Sequence, residues 1–86
     1  MKIRLLITGR SYHTVAHLPD ELLLAERSTV DDALARLSDL LPPGDRLPGS
    51  CLVSVAGRHL GTIASHEPQP LQEGDELCLI APMAGG

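Results

Sequence analysis

The sequence predicts an α+β domain, a mixed sheet with a single helix packed on one face. Two observations carry this. One stretch shows sustained helical spacing of apolar residues, Val30, Ala33, Leu34, Leu37 and Leu41. On both sides of it lie short apolar runs of strand length, several of them alternating. One amphipathic helix and several half-buried strands bury their apolar faces most economically by helix-on-sheet packing. At 86 residues, 1–86 is read as a single domain with residues 81–86 as a C-terminal tail. The only aromatic residue is Tyr12, so the core must be aliphatic.

Each element has its own reason. Residues 2–8 alternate, with Ile3, Leu5 and Ile7 on one face and Lys2, Arg4, Leu6 and Thr8 on the other, which predicts a first strand with one buried face. Gly9-Arg10-Ser11 breaks it, Pro19-Asp20 reads as a turn, and the shape of 9–20 is left open. A second strand or strand end is expected over Glu21–Glu26. The helix is expected over about residues 30–41. A capping box opens it, Thr29 with Asp32 or Ser28 with Asp31, and both aspartates favour the positive end of its dipole. Pro42-Pro43-Gly44 ends it. Cys51–Ala56 reads as a third strand, Gly57-Arg58-His59 as a turn and Leu60–Ile63 as a fourth strand. Glu73-Gly74-Asp75 reads as a turn before a last strand, Glu76–Ile80.

Several function classes fall away. The net charge is −4, and no Lys/Arg patch exists to neutralise phosphates, so nucleic acid is not an expected partner. No run approaches the roughly 20 apolar residues of a membrane span, and the apolar run after Met1 is too short for a signal core, so a cytoplasmic protein without a membrane partner is expected. Cys51 and Cys78 sit in strand-like runs and read as reduced, buried core thiols. No metal site is expected: His13 and His17 are four apart but in a segment without helical character, and His13, His17, His59 and His66 read as solvated imidazoles of no assigned role. The glycines Gly57, Gly61 and Gly74 are isolated and form no phosphate loop, and no serine has a nucleophile-elbow context. Glu73, Asp75 and Glu76 read as a solvated turn. The chain is therefore not expected to be an enzyme on its own.

The tail points elsewhere. After Leu77-Cys78-Leu79-Ile80 come Ala81-Pro82-Met83-Ala84-Gly85-Gly86. A terminal Gly-Gly presents a carboxylate on a backbone without side chains, able to thread a channel too narrow for other residues. An enzyme that must activate that carboxylate needs such a tail. Extended, residues 81–86 reach at most about 20 Å, enough to enter a partner's pocket. Pro82 would stiffen the base of the tail and reduce the entropy lost on insertion.

The stretch Leu71-Gln72-Glu73-Gly74-Asp75-Glu76-Leu77, followed by Leu79-Ile80-Ala81-Pro82-Met83-Ala84-Gly85-Gly86, resembles the C-terminal signature of the ubiquitin-like sulfur carriers, the MoaD/ThiS family. The element order is similar to their β-grasp fold, so the resemblance spans essentially the whole chain. It differs from many molybdopterin-type members in having Ala81-Pro82 where they have two prolines, Val55-Ala56-Gly57 where they have Val-Asn-Gly, and a first strand without aromatics. Its length leans away from the shorter thiazole-pathway carriers, toward molybdopterin-type carriers or carriers for cysteine synthesis.

The resemblance implies a protein co-substrate, or the small subunit of a sulfur-transferring synthase. Gly86 would carry the chemistry through its carboxylate, and Gly85, Ala84, Met83 and Pro82 would occupy a partner's channel. A partner adenylating enzyme of the ThiF/MoeB type would use ATP, the carrier itself binding no cofactor, and a larger synthase subunit or other acceptor enzyme would take the sulfur. Two further readings stay open at this stage. One is a ubiquitin-like modifier conjugated to lysines; the other is a β-grasp binding module whose tail is never activated.

Overall fold

The computed structural model describes residues 1–8, 18–44 and 47–81. Five strands and one helix follow in the order β1 (Lys2–Thr8), β2 (Glu21–Leu23), α1 (Val30–Leu40), β3 (Leu52–Val55), β4 (Arg58–Thr62) and β5 (Glu76–Ile80). The sheet order is β2-β1-β5-β3-β4. β1 and β5 are parallel, and every other pairing is antiparallel. One helix against a mixed five-stranded sheet in this order is a β-grasp fold.

The strands form where alternation supplies one apolar face. In β1, Ile3 and Leu5 are buried and Ile7 partly so, while Arg4 and Leu6 face out. In β5, Leu77 and Leu79 are buried, so Cys78 between them faces the other side. This corrects the expectation of two buried thiols: Cys51 is buried and Cys78 half-buried, and both are free. Burial pushes the Cys51 thiol upward from its ordinary value, which makes it a poor nucleophile.

The helix opens on the first of the two expected boxes. The Thr29 hydroxyl accepts the Asp32 N–H at 3.3 Å, and the Asp32 carboxylate accepts the Thr29 N–H at 2.8 Å. Ser28 instead donates its hydroxyl to the Ala25 carbonyl at 2.7 Å, which leaves the Asp31 carboxylate uncommitted to the cap. Val30, Ala33 and Leu37 are fully buried beneath the helix. Leu34 only flanks this stripe, packing partly buried against the core.

Several element boundaries differ from expectation: β3 loses one residue at each end of the expected Cys51–Ala56, β4 ends at Thr62 and not Ile63, and the larger differences are in β2 and at the start of β4. β2 spans only three residues, though the pairing runs one step beyond it: the Leu24 N–H donates to the Met1 carbonyl and the Met1 ammonium to the Leu24 carbonyl, each at 2.8 Å, and Leu24 packs partly buried against the core. β4 starts at Arg58, two residues before the expected Leu60. The turn into it is Ala56-Gly57 alone, both with positive φ, 50° and 85°. A two-residue turn of this hand matches the twist of the flanking strands, and Val55 closes it opposite Arg58. Ala56 is an L-residue with a Cβ in the left-handed region, at a cost of roughly 1–2 kcal/mol that asparagine largely escapes. Ala56→Asn should therefore raise unfolding stability by about 1 kcal/mol, read from the shift of the urea midpoint at constant m.

Gly61 lies inside β4 and is no turn glycine. Its φ is 135°, and a Cβ there would stand 2.5 Å from the Ser65 carbonyl oxygen. The absence of a side chain lets the 62–66 turn fold back onto the edge of β4, where the Thr62 N–H reaches the Ser65 carbonyl at 2.8 Å and the Glu67 N–H the Leu60 carbonyl at 3.1 Å. The edge strand is thereby covered by its own chain.

Candidate functional site at the root of the tail

Gly86, Gly85, Ala84, Met83 and Pro82 lie outside the described residues. What the structure does describe is how their root is held. β5 is the middle strand of the sheet, hydrogen-bonded to β1 on one side and to β3 on the other. The parallel register runs from Arg4 beside Glu76 to Thr8 beside Ile80. One further bond extends it, the Ala81 N–H donating to the Thr8 carbonyl at 2.8 Å, and the Ala81 side chain is buried. The chain is thus fixed up to the residue before Pro82, which has no N–H with which to continue the ladder.

The face of the sheet opposite the helix has two halves. Near the tail root it is apolar: Leu6, Leu52 and Ile80 remain 45%, 39% and 41% exposed. Leu52 pairs with Ile80, and Leu6 with the half-buried Cys78, so these side chains form one patch across β1, β5 and β3. The far half is charged apart from the exposed Leu23, which pairs with Lys2. Arg4 stands between Glu21 on β2 and Glu76 on β5, and Lys2 reaches Glu21 at 3.5 Å. Of this patch, sequence reading placed Leu6 outward but gave the group no role. The signal was there: Leu52 and Ile80 occupy positions of strands whose alternation sends Val53 and Leu79 inward.

The remaining candidates resolve individually. The acidic turn is partly structural: Glu73 accepts the Lys2 N–H at 3.0 Å, and Asp75 accepts the Gln72 N–H at 2.8 Å. His13 and His17 fall outside the described residues, and His59 is exposed on β4. His66 is not a solvated imidazole: its side chain is only 8% exposed and bonded at both ring nitrogens. Among the described residues, no group of three or more His, Cys, Asp or Glu side chains is placed to hold a metal ion. No helix among them is long and apolar enough to cross a membrane.

The described residues thus form a β-grasp domain whose chain is held in the central strand up to Ala81, beside an exposed apolar patch. The ThiS family model matches residues 5–86, and the chain belongs to the ThiS family, whose members are small sulfur carriers rather than enzymes. No curated protein and no solved structure matches the chain.

Proposed function

We propose that this chain carries sulfur as a thiocarboxylate on Gly86 and delivers it in the biosynthesis of a cofactor, of the molybdopterin type. The observation that carries the reading is the family match running through Gly85-Gly86, on a tail whose root is pinned by the Ala81–Thr8 bond. A carboxylate is a poor acyl donor because its leaving group would be oxide. On the partner adenylating enzyme, a Gly86 carboxylate oxygen attacks the α-phosphorus of ATP and pyrophosphate leaves. Sulfide-level sulfur then attacks the acyl carbon and expels AMP. Where the donor is a persulfide, a thiol next cleaves the sulfur–sulfur bond and frees the thiocarboxylate. Its sulfur is the nucleophile presented to the acceptor in the larger synthase subunit.

Within that scheme the carrier supplies position and the partners supply the acid–base groups. The rigid root at Ala81 limits the conformations the tail must give up on insertion, which lowers the cost of binding. The apolar patch of Leu6, Leu52 and Ile80, contiguous with that root, supplies the buried centre of a docking surface. A thiazole-pathway or cysteine-pathway carrier would use the same activated Gly86.

The intact mass of the protein isolated from its own cells tests the reading. A fraction in which one oxygen is replaced by sulfur, localised to Gly86 by fragmentation, is the expected result. A ladder of heavier conjugates on other proteins would instead identify a lysine modifier. Unaltered protein in cells actively making the cofactor would leave a β-grasp binding module and overturn the proposal.

A further inference from the structure

His66 lies in the connection between β4 and β5, where its ring is packed between the 62–66 turn and the start of α1. Nδ1 faces two main-chain carbonyls, Thr62 at 2.8 Å and Ile63 at 3.1 Å. Nε2 faces the Asp31 carboxylate at 2.8 Å. All three partners are acceptors only. A neutral imidazole has one N–H and one lone pair, so it would set that lone pair against an oxygen on one side or the other. The imidazolium alone satisfies both.

We infer that His66 is a charge-dependent latch, an imidazolium that ties the 62–66 turn to the first turn of α1 and releases that tie when it loses its proton. The neighbouring charges are otherwise committed. From the helix, Asp32 is held by Thr29 in the capping box, and from the connection itself Glu67 pairs with Arg58 at 3.1 Å. Asp31 is the carboxylate that acts on the ring. Burial pulls the ring's pKa down, but the Thr62 carbonyl, the hydrogen bond and charge of Asp31, and the Ile63 carbonyl together outweigh it, so the balance lies above the ordinary 6.5.

The order of release follows from the partners. Nδ1–H is shared between two part-buried main-chain oxygens of the turn, Thr62, which also accepts the Ser65 N–H at 3.2 Å, and Ile63, whereas the Asp31 side chain is largely exposed and can turn to water. The proton therefore leaves from Nε2, Asp31 swings away, and the Nδ1–H tautomer remains on the turn. The latch is close to the tail root: Thr62 stands in the same cross-strand row as Leu52 and Ile80.

The sign is fixed by linkage. A group bound more tightly as a cation in the folded state stabilises fully below its unfolded midpoint, near 6.5, and this contribution is lost as pH rises through the folded midpoint. Each unit of separation between the two changes the folded-to-unfolded ratio by about tenfold.

Ring-nitrogen NMR of the full chain between pH 5 and pH 10, with urea denaturation at each pH, tests the latch. Wild type should show both His66 nitrogens protonated at pH values where an unfolded reference peptide is already neutral, and should then pass to the Nδ1–H form. Asp31→Asn keeps the capping box and should lower the midpoint and flatten the loss of stability above pH 6.5. A neutral His66 titrating with the unfolded peptide, an Nε2–H neutral form, or an Asp31→Asn midpoint equal to wild type would each overturn the inference.

Discussion

Leu37→Ala should remove most of the stability of this domain while Leu34→Ala costs much less. Leu37 is fully buried in the cluster formed by Ile3, Leu5, Val30, Val53, Leu77 and Leu79, at the centre of the helix-to-sheet contact. Truncation there loses the transfer free energy of the removed atoms and leaves a cavity that the sheet, fixed by its ladders, cannot close. The expected cost is about 2–5 kcal/mol. An 86-residue domain has a total stability on the order of 5–15 kcal/mol and sits at the lower end for its surface burial. At roughly 4–8 °C per kcal/mol, the melting temperature should fall by on the order of 10–30 °C. Leu34 packs partly buried at the edge of the stripe and keeps solvent on one side, so its truncation leaves little cavity. Equal shifts for the two variants, or no shift at Leu37, would contradict the described helix-on-sheet packing.

That contrast marks where sequence reading reached its limit. Helical spacing placed Leu34 and Leu37 together at the centre of the buried stripe. It identified the face correctly, but which of two adjacent leucines sits over the sheet depends on how the helix is rolled on it, and a single-helix pattern does not carry that angle. The same division holds elsewhere. β1 and β5 were legible because alternation over five or more residues is a strong local signal. The start of β4 was not, because Arg58 and His59 carry no apolar signal and the turn forces a positive φ on an alanine, a residue that does not advertise one. His66 was illegible for a different reason. Its partner Asp31 is 35 positions away, and nothing local distinguishes that histidine from His59. Cys78 could have been placed outward from the inward Leu77 and Leu79, since strict alternation leaves it no choice. The expected site, Pro82 to Gly86, lies outside the described residues, and the structure adds the anchored root at Ala81 and the apolar patch beside it.

Deleting Gly85 and Gly86 should abolish ATP-dependent activation and leave the melting temperature nearly unchanged. The described core runs from Ile3 to Ala81, and the deletion leaves every residue of it in place. Under the proposed chemistry the loss is total, because the reacting carboxylate is itself moved. Gly86→Ala should fold equally well and react poorly, since its Cβ would meet the walls of a channel shaped for bare backbone. Adding residues beyond Gly86 should inactivate as fully as the deletion, because it displaces the carboxylate from the α-phosphate, where a misplacement of about 1 Å already costs on the order of 100-fold. Leu52→Ser separates docking from chemistry. It removes apolar contact from the outward patch and should raise the KM for the carrier with little change in kcat, the mark of binding shared by ground and transition states. Pyrophosphate release with the cognate adenylating enzyme reads all four variants against wild type. Turnover by the truncated and extended chains at the wild-type rate would eliminate both the sulfur carrier and the lysine modifier, since each requires an activated Gly86, and would leave a binding module whose tail takes no part in chemistry.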